Sequence, residues 1–310
     1  MGIIFQENTG EFHLYNGQIS YLMKILRNGQ LGQLYFGKKI PPKEDYGYLL
    51  ENRYRPASAY VFDNDYSFSL EHLKQEYPAY GTTDFRMPAL EILQPNGSRI
   101  TDFQYVSHKI YKGKPALKGL PATYTESEEE ADTLELLLRD ELLQIEMTLV
   151  YTIFRQENAI ARSVRFENKG TAACQITRAM SLSLDLPDAD YEWIQFSGAW
   201  GRERYVKTRV LQQGIQSVNS TRGGSGHFHN PFVMLKRPTA DEFQGEVMGF
   251  SLVYSGNFLA QAEVDTYDVT RMMIGINPFG FSWQLEPEEE FQTPEAVMGY
   301  SAEGMNGMSQ

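Results

Sequence analysis

Cysteine is almost missing from these 310 residues. Cys174 stands alone, which excludes an intrachain disulfide, and its apolar, strand-like surroundings read as a core thiol. Positive charge is also scarce: 28 Lys and Arg stand against 40 Asp and Glu, a formal net charge of −12. Nucleic-acid binders carry a basic face, so the balance argues against that class and against docking on an anionic membrane. No apolar run is long enough to span a bilayer as a helix. The start, Met1 to Glu7, lacks the basic segment and long apolar core of a signal peptide, so a cytoplasmic location is the expectation. Helical periodicity is the last absence, since almost no amphipathic helix of three turns can be drawn.

What is present is aromatic and alternating. Phe, Trp and Tyr make up 13% of the chain, with 19 Tyr and 18 Phe, an enrichment that favours strands. Residues 11–39 read as a meander of strands turned by Asn16-Gly17 and Asn28-Gly29, the strongest short hairpin signal. Residues 133–167 alternate apolar and polar through three long strands. Residues 172–185, 245–283 and 296–300 supply more. The fold class is therefore all-β, a large sandwich of mainly antiparallel strands filling one domain over 1–310. The tail, Gly304 to Gln310, is short, polar and flexible in character, like a domain boundary.

Five places invite chemistry. Trp200 sits between Gly198 and Gly201, with Arg202, Glu203 and Arg204 following. Glycine neighbours suit a presented ring, which packs on sugar C–H faces while charged groups bind hydroxyls; the bland reading is that it caps a sheet edge or fills an interface. Residues 40–66 form a long irregular segment rich in Tyr and Arg, including Tyr54, Arg55 and Tyr66, which is either a binding loop or a loop packed on its own sandwich. Asp84 and Arg86 read as a structural ion pair in a rigid loop. Asp185, Asp188 and Asp190 lack the spacing of a calcium loop, and neighbours on one loop do not flank a glycosidic bond, so turn chemistry is the reading. His227 and His229 lack a third ligand of matching spacing, and the glycines before them make no phosphate-loop pattern. No metal or cofactor is expected.

Several stretches together carry a resemblance. They are Gln75-Glu76-Tyr77-Pro78-Ala79-Tyr80-Gly81 with Asp84-Phe85-Arg86, Ile110 to Pro115, Gly119 to Tyr124, Gly198 to Arg204, Gly245-Glu246-Val247, and Tyr254 to Gln261. In their number and order they resemble the N-terminal β-supersandwich domain of bacterial α-galactosidases of glycoside hydrolase family 36. The resemblance implies a soluble, cofactor-free and often tetrameric enzyme that releases terminal galactose from oligosaccharides such as raffinose or melibiose. In that family a (β/α)₈ barrel follows and holds both catalytic aspartates, the nucleophile in a Lys-Trp-Asp-type motif that does not occur here. On this expectation the chain is the N-terminal domain alone, ends near the junction to the barrel and is inactive by itself.

The same resemblance implies that loops of this domain wall a neighbouring subunit's active site. Trp200 matches residue by residue. Some relatives carry aspartate where Tyr54 stands and arginine where Tyr66 stands, so the tyrosines imply an altered preference for the sugar beyond galactose, with Arg55 a candidate polar contact. Two alternatives stand beside this one: an autonomous carbohydrate-binding module with Trp200 as its platform, and a purely structural packing domain.

Overall fold

Tight turns build the first sheet. Strands β1 (Gly2–Gln6), β2 (Glu11–Tyr15), β3 (Ile19–Ile25) and β4 (Leu31–Lys38) pair in chain order, all antiparallel. Asn16 shapes one turn: its Oδ1 accepts the N–H groups of Gln18 and Ile19, at 2.8 and 2.9 Å. Its Nδ2 donates to Phe154 O and Glu157 O, tying the turn to a second sheet. These features come from a computed structural model that describes residues 2–55 and 58–309. Met1, Pro56, Ala57 and Gln310 lie outside the described residues.

Two further sheets follow. In chain order the strands are β5 (Leu90–Leu93), β6 (Gln104–Lys112), β7 (Ala131–Asp140), β8 (Ile145–Phe154), β9 (Ala159–Asn168), β10 (Cys174–Leu186), β11 (Glu192–Ala199), β12 (Arg202–Val210), β13 (Gly214–Asn219) and β14 (His229–Lys236). Then come β15 (Val247–Val253), β16 (Phe258–Val264), β17 (Thr270–Ile276), β18 (Trp283–Leu285), β19 (Glu290–Gln292), β20 (Glu295–Ser301) and a short helix, α1 (Gly304–Ser309). A ten-stranded sheet runs β12-β11-β14-β15-β20-β9-β8-β7-β6, with β19 also on β9. A six-stranded sheet runs β13-β16-β17-β10-β18, with β5 also on β10. One apolar core joins all three sheets through Phe12, Tyr21, Leu136, Leu182, Trp193, Phe250 and Met273. The all-β sandwich is as the alternation predicts. No helix among the described residues is long and apolar enough to cross a membrane.

Two buried polar clusters hold the core together where the sequence shows conspicuous charges. In the first, Arg86 Nε lies 2.8 Å from Asp84 Oδ1, and Arg271 Nη2 lies 2.7 Å from Asp84 Oδ2. Arg271 Nε reaches Asp185 Oδ1 at 2.7 Å. Two guanidiniums thus face Asp84 and Asp185, with Asp265 Oδ2 also 3.6 Å from Arg86 Nη1 and Gln75 N–H donating to Asp185. Burial works to raise the Asp185 pKa, but Arg271 and Arg86 outweigh it and hold it below the ordinary carboxylate range. The Asp84–Arg86 pair is structural, as read. Asp185 corrects the turn reading: it is an interior position of β10, fully paired, and only Asp188 makes turn bonds, accepting Asp190 N–H at 3.0 Å. In the second cluster Glu76 accepts from the hydroxyls of Tyr21 and Tyr151, at 2.7 and 2.6 Å, and pairs with Arg162 at 2.7 Å.

Neither cluster has room for a substrate. A cavity beside Gln75 and Tyr77 measures about 10 Å³, no more than the space for one water. His13 is another buried polar group, bonded to Ser20 Oγ at 2.9 Å and to the Tyr46 hydroxyl at 3.2 Å. Burial first, then Lys39, lowers its pKa from 6.5 to about 4. Cys174 is buried, and burial pushes its thiol up to about 11, as expected of an inert core thiol.

The tail differs from expectation. Residues 304–309 are helical and packed rather than loose, with Met305 and Met308 against Ile194, Met234 and Val247. Two backbone bonds, Met305 N–H to Asp241 O and Asn306 N–H to Glu242 O, both 3.0 Å, fasten the helix to the 241–244 turn. Glycine-rich sequence disfavours helix, so tertiary packing decides the conformation here.

Candidate functional site

The strands β11 and β12 form a hairpin at the edge of the ten-stranded sheet. Their register breaks between Ser197 and Ala199, at Gly198. A Cβ at Gly198 would lie 2.2 Å from Arg202 O, so no side chain fits. Gly201 takes φ of +76° at the tip, and its N–H donates to Glu203 Oε1 at 2.8 Å. That bond lowers the Glu203 pKa. Between these fixed points Trp200 is 89% exposed. The indole is presented and covers no core residue, so the edge-capping alternative does not describe it. All nine residues of β12 are exposed, and four of them, Arg202, Arg204, Lys207 and Arg209, are basic against the single acid Glu203.

A directed row of hydrogen bonds supports the hairpin from below. Trp193, Gln195 and Ser197 share one face of β11 by their spacing of two. Trp193 Nε1–H donates to Gln195 Oε1 at 3.0 Å, and Arg209 donates to the same oxygen. Both partners are donors only, which orients the amide, so Gln195 Nε2 donates to Ser197 Oγ at 2.7 Å. Ser197 Oγ lies 2.8 Å from His229 Nδ1 on β14. Alternation marks the three β11 residues as one face, but no local pattern links them to His229.

The tyrosine segment forms a second feature. Tyr54 and Tyr66 are 61% and 54% exposed, with ring centroids 6.1 Å apart in an edge-to-face pair. Tyr60 joins them, 4.9 Å from Tyr66, although nothing in the sequence separates it from the segment's other tyrosines. Asp65 anchors the strand of loop that carries Tyr66: it accepts Ser67 N–H and Oγ–H at 2.9 and 2.6 Å and pairs with Arg27. The Ser67 bonds first, then Arg27, lower its pKa from 3.8 to about 2. Arg55 turns inward. It pairs with Glu51, and its guanidinium carbon lies 4.2 Å from the Tyr267 ring centroid. The structure thus brings Tyr54 and Tyr66 together, engages Arg55 inside the loop, and gives Trp200 no aromatic contact with any of the three tyrosines among the described residues. Two exposed aromatic features can pack on sugar faces, while Glu135, Glu146 and Glu167 line a separate opening of about 170 Å³, where Tyr111, Arg139 and Arg165 engage them.

His227 stacks on Phe228 with centroids 4.4 Å apart, while His229 is committed to Ser197. Among the described residues no three His, Cys, Asp or Glu side chains converge as a metal site.

Comparison with known proteins sets this geometry in a family. Residues 29–286 match the Glycosyl hydrolase family 36 N-terminal domain. The α-galactosidase AgaA of Geobacillus stearothermophilus is 52% identical over 311 residues, a match that takes in 100% of this chain and 42% of that protein. The solved structure of AgaB from the same organism superposes with a TM-score of 0.95 at 51% identity, covering 100% of this chain and 42% of that one. The α-galactosidase structure from Lactobacillus brevis gives a TM-score of 0.97 at 41% identity, covering 99% of this chain and 41% of that one. Variants of AgaA have been solved with raffinose and with stachyose. This chain spans about two fifths of the length of these relatives.

Proposed function

The chain belongs to glycosyl hydrolase family 36 as its N-terminal domain, and from that premise we propose that it serves a longer α-galactosidase as a non-catalytic domain. In the whole protein a separate catalytic domain releases terminal α-linked galactose from oligosaccharides such as raffinose or melibiose. This domain supports assembly into an oligomer, a tetramer in our reading, and lends its loops as walls to a neighbouring subunit's active site. Trp200 supplies an aromatic face for the sugar, and the Tyr54–Tyr66 pair supplies a second, farther from the galactose. Arg55 holds the tyrosine loop in shape rather than touching sugar.

What supports this reading is one observation: Trp200 is almost wholly exposed on a tip that its two glycines and Glu203 hold in a single shape. A rigid aromatic face costs little ordering entropy when a ligand or partner covers it. The carboxylates, by contrast, are engaged by partners: Asp84 and Asp185 are buried in ion pairs, and Glu135, Glu146 and Glu167, which share one opening, are held by Tyr111, Arg139, Arg165 and Lys169. The chain alone therefore turns over no aryl α-galactoside, and measurable hydrolysis by the purified 310-residue chain would overturn the non-catalytic assignment. In the full-length enzyme, Trp200→Ala raises KM for raffinose by about three- to tenfold with kcat little changed, the size of one lost aromatic contact. Unchanged KM would leave a packing role only. An autonomous binding module, the second reading, requires the isolated chain to bind raffinose by calorimetry.

A further inference from the structure

Beneath the Trp200 hairpin lies a cavity of about 180 Å³, lined by Asn219, Ser220, Thr221, Arg222, Phe228 and His229. The hairpin closes on its rim through Gly198 N–H, which donates to Phe228 O at 3.1 Å. Among the described residues no carboxylate lines the cavity. The Arg222 guanidinium lies 3.6 Å from the centre of the Phe228 ring, stacked on an aromatic face instead of paired with an acid. In a chain of net charge −12 this leaves an exposed guanidinium, seated on an aromatic ring, lining an open volume.

His229 is oriented toward the same volume by the bonds beneath it. Gln195 donates to Ser197 Oγ, so the serine proton is free to point at His229 Nδ1. When the serine hydroxyl donates there, Nδ1 accepts, and the neutral ring carries its proton on Nε2. Burial, then Arg209 and Arg222, lowers the imidazole pKa and keeps the ring neutral at neutral pH. The row that begins at fully buried Trp193 thus ends at the His229 ring, which it ties to the hairpin.

We propose that this cavity is an oxyanion site, for a carboxylate or a phosphate, in which Arg222 supplies the charge and His229 Nε2–H the directed donor. A guanidinium and an imidazole among the residues of one cavity, with no acid among the described residues that line it, match the acceptor oxygens of such a group. The site does not rest on the sugar-wall reading, because its probe is an ion and its decisive side chain is Arg222 rather than Trp200.

The test takes the 310-residue chain, with inorganic phosphate and acetate as separate probes and sodium chloride matched for ionic strength. Calorimetry and thermal shift are the readouts. Saturable binding above the chloride background is expected for at least one probe, and the tighter of the two names the oxyanion. Arg222→Gln weakens it by about tenfold, the share of one charge-assisted hydrogen bond. Ser197→Ala, which keeps every charge and only releases the His229 ring, weakens it by about threefold. Lys109→Gln, on the opposite edge of the same sheet, leaves it unchanged. Binding no stronger than chloride would overturn the proposal, as would equal losses in Arg222→Gln and Lys109→Gln. Raffinose binding at this cavity that survives Arg222→Gln, with no phosphate or acetate effect, would overturn it too.

Discussion

The ionic cluster around Arg271 and the hairpin that carries Trp200 use charge in opposite ways. In the cluster, Asp84, Arg86, Asp185 and Arg271 are all nearly inaccessible and paired with one another inside the core. On β12 the charges are one-sided and wet, and the large apolar ring is outside. The cluster makes the fold specific; the hairpin spends little on the fold and presents a surface. Carboxylates in a conspicuous motif are therefore not by themselves a sign of catalysis here. Accessibility decides which group can act.

The sharpest way to break this contrast is Arg271→Met. It leaves Asp84 and Asp185 buried with one guanidinium between them, and should cost about 3–5 kcal/mol in urea unfolding, the usual penalty of a broken buried pair. A cost within the range of surface substitutions would mean that the cluster is not load-sharing. Acid probes the buried side next. His13 is neutral in the folded chain, with its pKa lowered to about 4, whereas the unfolded chain takes up the proton near 6.5. Below 6.5 the unfolded state binds more protons, so stability falls as pH drops from 6.5 toward 4. The loss from this group is about 3 kcal/mol, measured by denaturation at stepped pH, and His13→Gln should flatten that part of the profile.

Gly198→Ala tests whether the hairpin tip is held in one shape. The added Cβ meets Arg202 O, so the tip must open at a cost of about 1–3 kcal/mol. Faster amide exchange confined to 196–206 would show it, whereas unchanged exchange would mean that the tip shifts freely. Trp200→Ala in this chain has the smallest expected effect, within about 0.5 kcal/mol, because the ring packs on nothing in the core. A larger loss by thermal denaturation would move Trp200 from the surface side of the comparison to the structural side.

Strands were legible because turn chemistry and alternation are local. Asn16-Gly17 and Asn28-Gly29 turn the chain where they should, and the alternating 133–167 stretch becomes β7, β8 and β9. The exposure of Trp200 was legible for a related reason, since flanking glycines leave a ring no local cover. What stayed hidden depends on residues far apart in sequence. Asp185 reads as part of an Asp-rich turn until β17 brings Arg271 alongside it. Arg55 reads as a free polar group until Tyr267 lies beneath it. His229 reads as half of a weak metal motif until β14 sets it beside Ser197. Helix α1 was hidden by its own composition, because Met308 gains its place only over Gly249 and Gly299 of the neighbouring strands.

The basic row on β12 has a consequence for solution behaviour. A long unpaired strand edge is a template on which another chain can add, and fibre growth starts from such edges. Here the antiparallel pairing of two β12 strands centred between Tyr205 and Val206 sets Arg202 against Arg209 and Arg204 against Lys207 of the other copy. Repulsion between like charges across strands penalises that register. That register of self-pairing is thus resisted by the strand's own charge, beside a tryptophan that the molecule displays bare.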